Sequence, residues 1–336
     1  MSKQQVSFFW FRRDLRLEDN VGLFHALKSK YTVIPLFIFD DAILDSLPYN
    51  DPRVGFIYEN LSKINTQLLK IESALLVKKG KTLAVWELLL TEFDIKEVFF
   101  NKDYEPYAIK RDSAICELLE TNNAIPFSFK DQVIFEEKEI TKADGLPYTV
   151  YTPFKNKWLE KYKSMAPVLE YDATDVFSNF HKCDFVFPSL EQIGFEKSPI
   201  KVKPHNLKFI ANYQDIRDFP ALDQTSYLSP HLRFGTVSIR KLVNWAFHKN
   251  DVFLSELIWR EFFMQILFSF PKVVTQNFKT AYDGIKWRNN EADFQRWCSG
   301  TTGYPMVDAG MRQLNETGYM HNRVRMVAAS FLCKHL

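Results

Sequence analysis

Residues 6–20 read VSFFWFRRDLRLEDN. Val6–Phe11 is a short apolar run, a polar turn follows, and Asn20 is placed to cap a helix running to about Lys28. Working outward, Tyr31–Phe39 is rich in aromatic and β-branched residues and predicts a second strand. Ile57, Leu61, Ile64, Leu68 and Ile71 recur at helical spacing and predict a helix over 54–71. Strands over 74–77, 97–100 and 125–129 then alternate with helices over 82–93 and 107–119. Strict β-α alternation predicts a parallel sheet with helices on both faces, and ligands beyond the carboxyl ends of its strands. The first loop contains neither a G-x-G-x-x-G nor a G-x-x-x-x-G-K-[ST] phosphate cradle. Its Arg12, Arg13 and Arg16 either bind an anion or pair with Asp14, Glu18 and Asp19.

Periodicity weakens from Lys130 to Pro204, which Pro147, Pro153, Pro167, Pro188, Pro199 and Pro204 punctuate. This predicts a long connector with one short helix near Phe154–Lys163. From His205 onward the pattern is helical. The expected organisation is an α/β, Rossmann-like parallel-sheet domain (1–130), a connector (131–204) and an all-helical domain (205–336). A chain of 336 residues with 46% hydrophobic content suits two domains. A net charge of +2 argues against a polybasic nucleic-acid coat but leaves room for a local basic groove. Cys116, Cys183, Cys298 and Cys333 lie far apart, which predicts free thiols in a reducing compartment. No signal peptide or membrane span is expected.

Two helical stretches carry the chemistry. The last, TGYMHNRVRMVAASFLCKHL (Thr317–Leu336), puts Asn322, Arg325 and Met326 on one face. Such a stripe suits a large, flat ligand with polar edges; the plainer alternative is a buried amide beside a core methionine. The other stretch, Ser255–Phe270, places Glu256, Trp259 and Arg260 together. Glu256 and Arg260 also suit an ordinary i,i+4 ion pair, whereas the Trp259 indole suits an unstacked base. Together the helices predict a pocket with a cofactor on one side and an aromatic substrate on the other. In Thr225-Ser226-Tyr227-Leu228-Ser229-Pro230, Ser229 is read as an N-cap before a first-turn proline, or the hydroxyls as an anion site. Trp287 and Trp297 are read as packing residues. His205, His231 and His321 lack metal-ligand spacing, and no Ser-His-Asp order with a nucleophile elbow is present.

Five strings in order, FFWFRRDLRLEDN (from Phe8), YTVYTPFKNKW (Tyr148–Trp158), RDFPALDQTSYLSPHLRFG (Arg217–Gly235), ELIWREFF (Glu256–Phe263) and TGYPMVDAGMRQLNETGYMHNRVRM (Thr302–Met326), carry a resemblance. The chain resembles the photolyase/cryptochrome flavoproteins, specifically the bacterial class I cyclobutane-pyrimidine-dimer photolyases. The resemblance implies an α/β domain followed by a helical FAD-binding domain. It implies light-driven repair, in which reduced FAD passes an electron to a dimer flipped out of DNA. It assigns Tyr213, Thr225, Ser226, Tyr227, Leu228, Ser229, Phe253, Arg260 and Arg325 to FAD, with Asn322 facing the flavin N5. Glu256, Trp259, Asn322, Arg323 and Met326 fall on the dimer side, and Trp287 matches the outer electron-transfer tryptophan. Relatives of the (6-4) type carry histidines at the positions of Asn322 and Met326. Plant cryptochromes carry Asp at Asn322, and the DASH type reads SNRGRQ for HNRVRM. Folate-binding relatives have an Asn-Glu pair where this chain has Tyr107-Ala108, leaving a deazaflavin, a flavin or no second antenna chromophore. The family continues beyond Leu336 with a segment bearing two aspartates and the inner tryptophans. The expectation is therefore a C-terminally truncated chain that binds FAD weakly or not at all. The competing readings are a blue-light-sensing cryptochrome and an inactive truncated fragment. A cytoplasmic monomer acting on dimer-containing DNA, with no membrane, completes the expectations.

Overall fold

A computed structural model describes residues 3–336. In chain order the first elements are β1 (Gln5–Phe11), α1 (Val21–Leu27), β2 (Val33–Asp40), α2 (Asp41–Leu44), α3 (Pro52–Leu69), β3 (Leu76–Gly80) and α4 (Thr82–Glu92). Then come β4 (Asp94–Asn101), α5 (Pro106–Thr121), β5 (Ile125–Phe129) and α6 (Tyr151–Met165). The remainder is helical: α7 (Tyr213–Ile216), α8 (Leu228–Arg233), α9 (Ile239–Phe247), α10 (Asp251–Ser269), α11 (Glu291–Ser299), α12 (Pro305–Thr317) and α13 (Asn322–His335).

The chain divides into two units, Met1–Lys197 with Ser229–Pro271, and Ser198–Leu228 with Lys272–Leu336. These do not follow the division expected at 130 and 204. Most of the expected connector, together with α9 and α10, falls in the same unit as the sheet.

In the first unit the parallel strands run in the order β3-β2-β1-β4-β5. The winding therefore reverses at β1. Alternate residues of β1 serve opposite layers, as the two-residue strand period requires. Phe9 and Phe11 join Leu23 and Leu27 of α1 and Leu61 and Ile64 of α3. Phe8 and Trp10 join Trp86 and Leu89 of α4 and Ile115 of α5. Asn20 caps α1, accepting from the Leu23 N–H at 3.2 Å. The third strand begins at Leu76 rather than Ala74, because the Leu75 N–H is taken by Asn65 Oδ1 at 2.9 Å.

The first-loop arginines form their ion pairs with carboxylates far along the chain, although Arg16 also donates to the Asp19 carbonyl at 2.6 Å. Arg12 meets Asp112, Arg13 meets Asp103 and Glu105, and Arg16 donates to Asp131 at 2.8 Å. Arg240 of α9 joins the same buried cluster through Asp19 at 3.1 Å and Asp131 at 2.9 Å. Burial alone would raise the Asp131 pKa, but Arg16 and Arg240 more than offset it and hold the carboxyl below its ordinary value. Gly235 closes against this loop with φ 63°, and a Cβ there would lie 2.1 Å from the Arg13 carbonyl oxygen. Only glycine fits such an approach.

In the second unit, Val307 and Met311 of α12 pack with Met320 and with Val324, Ala328 and Phe331 of α13. The last helix does not start at Thr317. Gly318, in the left-handed conformation at φ 68°, ends α12, and His321 caps α13, accepting from the Arg323 N–H at 3.2 Å. Among the described residues, no helix is long and apolar enough to cross a membrane, and no acidic, histidine or cysteine group forms a metal cluster.

Candidate functional site

Helix α10 is capped by Asn250, whose side chain accepts from Val252 and Phe253, so the helix begins one turn earlier than predicted. It is rooted by Glu261, buried and accepting from the Ile134 N–H at 2.7 Å, the Phe135 N–H at 3.1 Å and the Trp158 indole at 2.6 Å. Burial pushes this carboxyl up to about 7, against the pull of those three donors and Arg260. Arg260 donates to the Gln132 and Leu232 carbonyls at 2.7 and 3.3 Å. Desolvation lowers its pKa to about 10. Phe253 is buried, edge-on to Trp245. Glu256 and Trp259 are half-buried, and the indole stacks on Tyr151 with centroids 3.5 Å apart. Sequence reasoning gave no role to Glu261 or Tyr151, although both lie inside the quoted strings. Their signal is tertiary, since each acts across more than a hundred residues of chain.

Ser229 does not cap α8. The helix begins at Leu228, so Ser229 and Pro230 sit inside its first turn. Directly before it, Tyr227 takes the left-handed backbone at φ 52°, and Ser226 Oγ accepts from the Leu228 N–H at 3.5 Å. In the second unit, Thr225 accepts from the Tyr319 hydroxyl at 2.9 Å, and the Tyr227 and Tyr319 rings meet at 4.8 Å. Lys203 donates to the Tyr227 hydroxyl at 3.0 Å and to Asp223 at 3.3 Å. No motif or periodicity points to Lys203, which lies 22 residues before Thr225. Tyr213 opens α7, with the Arg217 guanidinium 5.4 Å above its ring.

On α13, Asn322, Arg325 and Met326 are exposed, so they are neither a buried amide nor core filler. Arg323 turns aside to Asp218, with Nε to Oδ1 at 2.6 Å, and holds that carboxyl below its ordinary pKa. Trp287 is exposed in an irregular segment, whereas Trp297 packs and donates to the Ala328 carbonyl at 3.0 Å. At the carboxyl edge of the sheet, the Tyr107 hydroxyl donates to Asp40 at 2.5 Å.

Comparison with known proteins places these elements in context. Residues 7–174 match the family model described as DNA photolyase, and residues 253–336 match the FAD binding domain of DNA photolyase. The chain is 35% identical to the deoxyribodipyrimidine photo-lyase of Halobacterium salinarum, over 98% of this chain and 76% of that one. A class III photolyase structure from Agrobacterium tumefaciens superposes with a TM-score of 0.83 at 30% identity, covering 100% of this chain and 74% of that one. An archaeal photolyase from Sulfolobus tokodaii, solved with two FAD molecules, gives 0.78 at 33% identity, with 98% and 75% covered.

Proposed function

The chain belongs to the DNA photolyase family, and we propose that it repairs cyclobutane pyrimidine dimers in DNA by light-driven electron transfer from reduced FAD to a flipped-out dimer. The observation that carries this reading is the division of α13. Its buried side builds the core while Asn322, Arg325 and Met326 stand together on the exposed side.

The residues fit the cofactor's chemistry. Hydroxyls at Thr225, Ser226 and Ser229 suit phosphate oxygens, as does the Lys203 ammonium held at Tyr227. We assign Tyr213, Tyr227, Leu228, Phe253, Arg260 and Arg325 to the same nucleotide, and the Asn322 amide to the flavin ring. When bound in its reduced form, FAD would supply a light-excitable one-electron donor at this site. Glu256 hydrogen-bonds the dimer and steadies its negative charge. Trp259 and Met326 pack on its apolar edge, and Arg323 holds the DNA in a salt-sensitive way. Trp287 is assigned as the outer electron-transfer tryptophan. Any second, light-harvesting chromophore belongs beyond the carboxyl edge of the sheet, where Tyr107-Ala108 stands in place of the folate-type pair and the Tyr107 hydroxyl is held by Asp40. The four free thiols favour a cytoplasmic setting, and we infer a monomer.

The test is light-dependent loss of thymine dimers from an oligonucleotide by the FAD-loaded chain, against a dark control. Glu256→Gln is expected to slow repair at least about tenfold, equivalent to about 1.4 kcal/mol. Dimers that persist under light in the presence of reduced FAD refute the proposal. Asn322 favours repair over signalling, because plant cryptochromes carry Asp at that position.

A further inference from the structure

We propose that Tyr151 is a positioning residue for Trp259, holding the indole plane in one orientation so that a flipped pyrimidine meets a rigid aromatic wall. The inference rests on the repair reading of α10 and deepens it.

Two independent contacts from one side chain support it. The Tyr151 ring lies on the indole at a 3.5 Å centroid distance, with planes only 9° apart. Its hydroxyl donates to the Ser255 carbonyl at 2.7 Å and meets Ser255 Oγ at 2.6 Å. Ser255 stands one turn before Trp259 on the same helix. Tyr151 therefore grips α10 at both ends of that turn, through the hydroxyl at Ser255 and through the ring at Trp259. Phe262 closes the arrangement edge-on, 5.8 Å from Tyr151 at 71° and 5.6 Å from Trp259 at 77°. A partly exposed indole without such a grip samples several rotamers, and ordering it on binding costs about 0.5–1.5 kcal/mol. Tyr151 removes that cost in advance. It also covers one indole face, while the exposed Phe263 ring lies near-parallel to the indole at 5.4 Å and 22°. Burial, and then the neighbouring Glu256 carboxylate, raise the phenol to about 12, so its hydroxyl remains a donor at ordinary pH.

The experiment measures dark affinity of the FAD-loaded chain by fluorescence anisotropy, for an oligonucleotide with one thymine dimer and for its undamaged match. Tyr151→Leu is expected to weaken dimer binding about tenfold, or about 1.4 kcal/mol, and to leave undamaged DNA unaffected. Tyr151→Phe keeps the ring and stays within about threefold. In the Trp259→Leu background, Tyr151→Leu adds less than about twofold, because the ring it positions is gone. Additive losses in the double variant, or equal losses on both oligonucleotides, reduce Tyr151 to a structural residue and overturn the inference. If Trp259→Leu weakens dimer binding and Tyr151→Leu does not, this inference alone falls. If Trp259→Leu is itself silent, the repair reading of α10 falls and this inference with it.

Discussion

Glu261→Gln separates two forces that act at the root of α10. The carboxyl is 2% exposed and faces three N–H donors, those of Ile134, Phe135 and Trp158. Burial nevertheless prevails and moves it from its ordinary 4.5 up to about 7. The folded-state value lies above the unfolded one, so between these values the folded protein keeps a proton that the unfolded chain has released. The contribution of this group to stability is then greatest below pH 4.5 and declines as pH rises toward 7, by at most roughly 3.5 kcal/mol at about 1.4 kcal/mol per unit. Glutamine has the same shape and no titration. It retains one acceptor oxygen but turns an NH2 group toward a backbone N–H, at a cost of about 1–3 kcal/mol.

The variant is therefore expected to melt below wild type at pH 5, with the deficit shrinking toward pH 8 and vanishing or reversing there. Between pH 5 and pH 8 the change is about 2.5 kcal/mol, so at about 2–4 °C per kcal/mol the swing is roughly 5–10 °C. Thermal melts of both proteins at the two pH values decide it. A deficit that grows from pH 5 to pH 8 means that the donors stabilise the charged carboxylate more than burial destabilises it, and the reasoning is then wrong.

Arg240→Met leaves Asp19 and Asp131 with one fewer buried cation and is expected to lose about 3–5 kcal/mol in urea denaturation at pH 7. Wild type loses the Asp131 contribution as pH falls through that group's lowered folded-state pKa, so the gap narrows in acid. Gly235→Ala meets the Arg13 carbonyl and a left-handed backbone, and backbone strain alone predicts about 1–3 kcal/mol of destabilisation by the same assay. Asn322→Asp keeps or raises the melting temperature, since an acidic residue in a first helical turn gains about 0.3–1 kcal/mol, yet lowers the light-dependent repair rate at least about tenfold.

The sheet was legible because each strand carries its own local signal. Phe8 and Trp10 face one layer while Phe9 and Phe11 face the other, and every residue of the Val6–Phe11 run is buried. Helix ends were less legible, because Gly318 and His321 decide where α12 stops and α13 starts. A helical reading from Thr317 overlooked Gly318 as a stop signal. The stretch from Lys130 to Pro204 looked like a connector because its order is tertiary. Asp131 is held by Arg16 and Arg240, Ile134 and Phe135 by Glu261, and Phe180 by a bridge to Val33. No local periodicity announces such partners. The candidate residues of α10 and of α13 were legible as residue types, but the partners that hold α10, Tyr151 and Glu261, and the Lys203 that holds Tyr227, were not.

The corrected start of α13 changes what Asn322 is. Placed in the middle of a longer helix, its side chain would be one polar group in a stripe. As the first residue of a 14-residue helix it stands at the positive end of the helix dipole. The same end has no acidic residue in its first turn, and Arg323 and Arg325 follow directly. His321, the cap, is held below its ordinary pKa by burial first and then by the Arg323 charge; its Nδ1 accepts from the Arg323 N–H, which requires that nitrogen to be unprotonated. The exposed stripe is thus backed by helix dipole and guanidinium charge, without help from a charged histidine. An environment of this kind favours a neighbouring group in its anionic form over its neutral one, which is the electrostatic demand that a reduced flavin ring places on Asn322 in the proposed reaction.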